Sequence, residues 1–401
     1  MTTYTIVSIT HSDDFDGIGS QATLYRYFSI LEKPIPPHWG FDPDTKVSLF
    51  LFQVDYQDYL FYWAAIITGF KLKESNSCLN FKDEWIATYL RLHNVHSLAE
   101  LSKKHNIVPA VTEKKILDNI EIWKTVDLVI VTDIGYNKIF TTLFDPLEEY
   151  QIPFAYFDHH RHDESSINFY SRNCVQHIID TYRCTTQITH TYFLPNDQIS
   201  QYISDLGYDT DNNYNILPHS KEIMAVISYH RKNYSYLCDI VRNYASGVNF
   251  DISMKKEYEK IKKWEDKEFQ MMLQSLKCLS ITYSDGKTVN IIFGCSELRS
   301  GRSMNLLEDA INNGDLLNKI RCRCEDNRII LVTVNRTTLN TNLKSEVFNV
   351  HDIAEHFGGG GHINRAGFRF PSRFVSELTR SQVNLKDLNL EAFIEEIKQF
   401  L

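Results

Sequence analysis

The most regular hydrophobic signal in the chain is Val126–Thr132, VDLVIVT, an almost unbroken apolar run. Such a run predicts a strand buried on both faces, as inside a parallel sheet. Tyr4–Thr10 is rich in β-branched residues, and Phe154–Phe157 forms a short apolar stretch after Pro153. Both also predict strands. Ser20–Leu31 has its apolar residues at helical spacing. Each of the three predicted strands runs directly into an acidic residue or a histidine. In open α/β sheets ligands bind outside the carboxyl ends of the strands, so this coincidence points to a functional edge.

Between the first two of these strands lies an insert, about Asp55 to Glu121, rich in aromatic residues and lysine and helical in stretches such as Glu84–Leu92. Its most apolar part, Phe61–Phe70, is too short for a membrane span of roughly 20 residues and predicts a core helix. Asp251–Cys278 is long, charged and helical in pattern, and predicts a connection between two domains. After it come a predicted hairpin turning at Ser284–Lys287, a helix from about Ser303 to Asn312, and strands near Arg321–Glu325 and Arg328–Val334. A short helix, Val350–Phe357, then runs into a glycine cluster.

Composition narrows the function classes. With 401 residues, 43% of them apolar, two domains with their own cores are expected. The net charge of -9 argues against a protein that grips long DNA or RNA. Eight scattered cysteines show no zinc spacing and predict reduced thiols of a cytoplasmic protein. The N-terminal TTYTIVSIT reads as a strand, not a signal peptide, and no membrane association is expected.

Five constellations carry candidate chemistry. His11–Ser20, HSDDFDGIGS, packs three carboxylates and an imidazole into six residues, a crowd that repels itself unless a cation sits within it. Its ligand types suit Mn²⁺ or Mg²⁺ more than zinc; the alternative is an Asx turn with a helix cap. Asp133 in VTDIG is a ligand or merely a strand-end cap. Asp158-His159-His160 places two imidazoles beside a carboxylate, so that one histidine can ligate while Asp158 orients the other. His162 and Asp163, just beyond, read as solvated loop. Asp205 and Asp209 stand in an acidic stretch that is uninformative alone. Gly358–Gly367, GGGGHINRAG, offers backbone N–H groups that an anion can approach closely, with His362 and Arg365 nearby.

Taken in order, a D-x-D-G at Asp14–Gly17, the strand-end Asp133, the Asp158–His160 triplet, the Asp209-Thr210 pair and a late GGGGH resemble the DHH phosphoesterase superfamily. The glycine motif resembles its DHH-associated C-terminal domain. RCTTQITHTYFL and YISDLGYDT resemble the nano-RNase branch, which degrades short oligoribonucleotides and linear dinucleotides. The resemblance implies an α/β fold: a parallel-sheet DHH catalytic domain over 1–250, a connecting helix over 251–278, and a smaller α/β substrate-binding domain over 279–401. It implies two Mn²⁺ ions, with Mg²⁺ or Co²⁺ as alternatives. His11, Asp14 and Asp133 would hold one ion, and Asp16, Asp133, His159 and Asp209 the other. His160 would contact the scissile phosphate and Asp158 would support the histidines. Arg336, Gly358, Gly359, Gly360, Gly361, His362 and Arg365 would hold the rest of the substrate, with Arg299, Arg302 and Ser303 as further candidates.

The implied activity is two-metal hydrolysis of short oligoribonucleotides or linear dinucleotides to mononucleotides, like an oligoribonuclease, with no long nucleic acid as partner and the oligomeric state open. A nucleotide or polyphosphate phosphomonoesterase or pyrophosphatase is the alternative within the superfamily, and a nucleotide-binding sensor with weakened catalysis is the alternative outside catalysis. One departure bears on the site. Family members place the first histidine two or four residues before the first ligand aspartate, whereas His11 precedes Asp14 by three. Either the segment bulges, or Asp13 takes the place of Asp14, or that ion is held differently. Arg365 also stands where the family usually has a small residue.

Overall fold

The computed structural model describes residues 3–54, 59–75, 80–95, 97, 110–135, 138–212, 214–283, 286–313, 316, 328–376 and 383–401. The chain divides into two compact units, Met1–Tyr258 and Glu259–Leu401. The fold is mixed α/β, with a parallel sheet in the first unit and a second sheet in the other.

The first unit is built on strands β1 (Thr3–His11), β2 (Lys46–Val54), β3 (Val126–Thr132), β4 (Phe154–Asp158) and β5 (Gln176–Ile179). They lie in the order β2-β1-β3-β4-β5, every pair parallel. Successive side chains of a strand point to opposite faces, and here both faces are apolar. Val7, Ile9, Val129, Val131, Phe154 and Tyr156 join one core, while Ile6, Leu128, Ile130, Ala155 and Phe157 join another. That is why β3 reads as an unbroken apolar run. The edge strand β2, which the sequence reading does not identify, is only half-buried along most of its length.

Helices α1 (Phe15–Tyr25), α2 (Tyr59–Ser75), α3 (Phe81–Leu92), α4 (Ala110–Leu117) and α5 (Ile120–Thr125) follow in the first half. Tyr59 to Ile67 are all buried, so the predicted core helix exists and has no solvent face there. Together with Trp85 and Trp123 it covers one face of the sheet, and this is the structural work of the described part of the insert. Gly69 permits the close approach: a Cβ there would come 2.0 Å from the Trp123 carbonyl oxygen. The second face is covered by α1 and by helix α8 (Thr185–Phe193), through Leu24, Ile188 and Phe193.

The other helices of this unit are α6 (Phe144–Glu149), α7 (Glu164–Asn173), α8 (Thr185–Phe193), α9 (Gln198–Asp211), α10 (Ser220–His230) and α11 (Tyr234–Ala245). The long charged segment is one helix, α12 (Ile252–Ser275), and the boundary between the two units falls within it.

The second unit contains β6 (Lys277–Thr282), β7 (Thr288–Ser296), α13 (Ser300–Asn312), β8 (Ile329–Asn335), β9 (Asn340–Lys344), α14 (Val350–His356), β10 (Gly360–His362), β11 (Arg365–Arg369) and α15 (Leu390–Ile397). The sheet order is β10-β11-β9-β8-β7-β6; β7 and β8 are parallel and the other pairs antiparallel. Ser284–Asp285 of the predicted turn and the predicted strand near Arg321–Glu325 lie outside the described residues. Cys174, Cys184, Cys238 and Cys295 are free thiols. Cys278 is disulfide-bonded, which corrects the reading of all eight cysteines as reduced. Among the described residues no helix is long and apolar enough to cross a membrane.

Candidate metal centre

Because β1, β3 and β4 are parallel neighbours, their carboxyl ends share one edge, and His11, Asp133 and the Asp158–His160 triplet meet there. β1 ends at His11, the chain turns through Ser12–Asp14, and Asp14 caps α1 by accepting from the Asp16 N–H at 3.0 Å. Gly17 lets α1 begin so close to the strand. A Cβ there would come 2.6 Å from Thr10 Oγ1 and 2.8 Å from the His11 carbonyl oxygen. Asp133 has φ 55°, a left-handed conformation outside the regular strand. Aspartate tolerates that region better than most residues, but the conformation still costs about 1–3 kcal/mol and recurs at functional sites.

The Asp133 carboxylate faces two ways. Its Oδ2 lies 2.6 Å from His11 Nε2, and its Oδ1 lies 3.3 Å from His159 Nε2 and accepts from Thr185 Oγ1 at 3.0 Å. His11 Nε2 is also 3.6 Å from Asp14 Oδ1. Asp16 is buried where α8 begins, accepting from the Thr185 N–H at 2.7 Å, the Thr186 N–H at 2.8 Å and Thr186 Oγ1 at 2.7 Å. Its Oδ2 remains 3.7 Å from His159 Nε2. Among the described residues, three groups of potential ligand atoms form at this edge, each within 4.8 Å: His11 with Asp14 and Asp133, Asp133 with His159 and His160, and Asp16 with His159 and Asp211.

The ionisation of these groups is strongly coupled to their crowding. Burial opposes charge on His159, but Asp133 and Asp16 outweigh it and raise its pKa to about 9. Burial likewise opposes charge on His11, and the Asp14 and Asp133 carboxylates overcome it to hold the imidazole well above its ordinary range. Asp16 is pushed up to about 8 by burial and by the neighbouring Asp133 carboxylate. Asp14 and Asp211 are raised mainly by burial. Burial alone would raise Asp133 too, but contact with His11 and His159 holds it far below the usual carboxylate range. Buried carboxylates gathered around imidazoles, without a thiolate among them, fit hard divalent cations of the Mg²⁺ and Mn²⁺ kind. A cation would relieve the repulsion that now forces protons onto Asp16 and the histidines.

The structure brings His11, Asp14, Asp16, Asp133, His159 and His160 together. It does not bring Asp209 to them. Both Asp209 oxygens are taken up by the turn after α9, from the N–H groups of Ile216 at 2.9 Å and Leu217 at 3.1 Å and from Ser220 Oγ. Asp211, two residues on, is half-buried and takes its place in the group with Asp16 and His159. Sequence reading missed it because YDTDNN offers both carboxylates and only the helix end decides which points inward. Asp13 is turned away toward Arg231, 3.5 Å off.

His162 corrects a second expectation. Its side chain is fully buried, not solvated, with Nε2 at 2.6 Å from Asp158 Oδ2. Asp163 caps α7, and Asp205 accepts from Gln201 on the surface of α9.

In the second unit, Gly360–His362 is an edge strand paired with Arg365–Gly367 through a two-residue turn at Ile363-Asn364. The glycine cluster is thus a hairpin, not an open loop. Gly359 and Gly361 are required by it, since a Cβ would come 2.1 Å from the Gly367 carbonyl oxygen or 2.6 Å from Ala366 Cα, and Gly358 has φ 76°. Gly360 faces open space, and His362 is exposed. The expected anion-binding arginines are already engaged. Arg336 pairs with Glu297 at 2.9 Å and Glu268 at 3.2 Å, and Arg365 donates to the Gly301 carbonyl oxygen at 3.1 Å and to Asn305 Oδ1 at 2.8 Å. Arg302 pairs with Glu265, and Ser303 lies buried against Ser296.

Among solved structures the chain resembles the DHH domain of a member of the s1p family of ribosomal proteins. The two are 12% identical, the match spans 98% of this chain and 87% of that one, and the TM-score is 0.54. This is the DHH-domain fold. A pGpG-specific phosphodiesterase from Vibrio cholerae (10% identity, 99% and 100% of the two chains, TM-score 0.42) and an exopolyphosphatase-related protein from Bacteroides fragilis (15% identity, 98% and 93%, TM-score 0.41) are more distant in shape. No protein-family model matches the chain, and no curated protein does. In the DHH-domain fold adopted here, the strand-end residues of the sequence motifs and the convergent ligand groups are the same residues.

Proposed function

We propose that this chain is a two-metal phosphodiesterase that hydrolyses short oligoribonucleotides or linear dinucleotides to mononucleotides. The observation that carries the two-metal reading is the split carboxylate of Asp133, one oxygen toward His11 and the other toward His159. His11, Asp14 and Asp133 are proposed to hold one ion, and Asp16, Asp133, His159 and Asp211 the other, with Asp211 in the place first given to Asp209. Mn²⁺ is the proposed ion. When bound, the pair supplies an activated water and neutralises charge on the phosphoryl oxygens.

The chain's own residues do the rest. His160 is partly exposed at the edge of the site, and its Nδ1 is held 2.8 Å from Asp158 Oδ1, so its Nε2 is left to donate to or accept from a phosphate oxygen. Tyr208 and Tyr214 stand three residues before and three after Asp211, both exposed, with ring centroids 5.7 Å apart. Exposed aromatic rings this close in sequence to a proposed metal ligand suit a nucleobase, which supports a nucleotide over a simple polyphosphate. Short substrates are favoured by the net charge of -9. In the second unit, the exposed Gly360 backbone and His362 are proposed as contacts to an anion. The engaged Arg336 and Arg365 are proposed as the framework of that region, not as free phosphate ligands.

The test is hydrolysis of labelled oligoribonucleotides from the dinucleotide upward, with Mn²⁺, with Mg²⁺ and after EDTA. Metal-dependent release of mononucleotides, fastest on the shortest chains, is expected. Turnover of phosphomonoesters or pyrophosphate alone would replace the reading by the phosphatase one, and undiminished activity without metal would end both.

A further inference from the structure

The carboxylate of Asp158 is wholly buried and takes three hydrogen bonds. The His159 N–H at 2.9 Å and His160 Nδ1 at 2.8 Å share Oδ1, and His162 Nε2 lies 2.6 Å from Oδ2. Both side chains of the His162–Asp158 pair are 0% exposed. His162 lies edge-on against the stacked rings of Tyr156 and Tyr170, with centroids 5.6 Å from each. The Tyr156 hydroxyl is in turn bound to the Ile134 carbonyl oxygen, in the segment that follows Asp133. An imidazole enclosed in this way has no contact with solvent, and among the described residues it belongs to none of the potential ligand groups.

We infer that His162 is a positioning residue: it holds the Asp158 carboxylate in the one orientation that keeps the proton of His160 on Nδ1 and presents Nε2 to the substrate phosphate. The inference rests on the proposed role of His160. The physical reason is geometric. A carboxylate bound at one oxygen only can turn about its Cβ–Cγ bond; bound at both, it cannot turn without losing a buried hydrogen bond to a charged group. Oδ1 therefore stays on His160 Nδ1, and the hydrogen bond at one imidazole nitrogen decides which nitrogen faces the site. Partners of this kind are typically worth ~10–100-fold in activity.

The experiment compares His162→Gln, which keeps an N–H donor of similar reach, with His162→Met, which fills the space without one. Two readouts are taken. Nitrogen-15 imidazole shifts of the metal-free full chain, followed along a pH titration to the neutral form of His160, report its tautomer, and steady-state kinetics on a diribonucleotide with Mn²⁺ separate kcat from KM. The Nδ1–H tautomer should persist in His162→Gln and be lost or mixed in His162→Met. The Met variant should lose ~10–100-fold in kcat with KM little changed, and the Gln variant should recover most of it. A His162→Met protein with the wild-type tautomer and kcat would overturn the inference. If the Met variant does not fold, the Gln variant decides: a tautomer or kcat as disturbed as in Asp158→Asn would also overturn it. If wild-type protein turns over no diribonucleotide, the function proposed above fails while the tautomer comparison still stands or falls alone.

Discussion

At the scale of single residues, Asp133, Asp209 and Asp211 are chemically identical and structurally unlike. Asp133 bridges two ligand groups, Asp211 belongs to one, and Asp209 serves a turn. Asp133→Ala is therefore expected to abolish binding of both ions, and Asp211→Ala to reduce calorimetric Mn²⁺ stoichiometry toward one. Asp209→Ala should leave stoichiometry intact and lower stability by about 1–3 kcal/mol, because it removes three hydrogen bonds, one of them from the buried Ser220 hydroxyl. Equal metal binding by Asp133→Ala and wild type would reduce Asp133 to a strand cap.

The same residues set a pH dependence. His159 is raised from its ordinary 6.5 to about 9, and Asp16 from 3.8 to about 8, so the folded metal-free protein holds protons that the unfolded chain releases earlier. Each contributes stability below its unfolded pKa that is lost as pH rises toward the folded one. The metal-free protein is expected to melt at progressively lower temperature between pH 6.5 and about 9. Mn²⁺ should restore the Tm most strongly at the alkaline end, where no proton competes with it. A metal-free Tm that rises over this range would contradict the assignment.

Among the elements, the contact of α8 with α9 governs the site most directly. Gly207 on α9 lies so close to α8 that a Cβ would come 1.9 Å from Thr186 Oγ1, the hydroxyl that donates to Asp16. Gly207→Ala must push the helices apart or turn Thr186 away, at a cost of about 1–3 kcal/mol for overpacking. It is expected to weaken Mn²⁺ binding although Gly207 is not a ligand. Gly360→Ala meets nothing within 4 Å and should change neither stability nor metal affinity. Denaturant unfolding together with metal titration of both variants checks the pair; a Gly207→Ala protein with unchanged metal affinity would detach α9 packing from the site.

For the whole molecule, the relevant quantity is charge. A net charge of -9 repels a polyanion, and a binder that gains phosphate contacts along a groove must show a steeper salt dependence with each one. Affinity is expected not to rise with oligonucleotide length beyond a few nucleotides, and the slope of log affinity against log salt to be small and nearly equal for a dinucleotide and for a chain many times longer. Tighter binding of the long chain with a steep slope would move the protein toward nucleases that track a strand.

The sequence by itself determined that β1, β3 and β4 are strands, since burial on both faces demands the apolar stretches seen in Ile6–Ile9, Ser8 apart, and in Leu128–Val131 and Phe154–Phe157. It also determined that carboxylates and histidines stand at their ends, because those positions are local to each strand. What it could not decide depends on distant neighbours. The end of α9 chose Asp211 over Asp209, and a buried carboxylate short of a donor drew His162 inward from a segment that reads as solvated loop. Likewise the carboxylates Glu268 and Glu297 claimed Arg336. Side-chain orientation at element ends is set by whichever partner the fold brings within reach, and sequence spacing does not encode that partner.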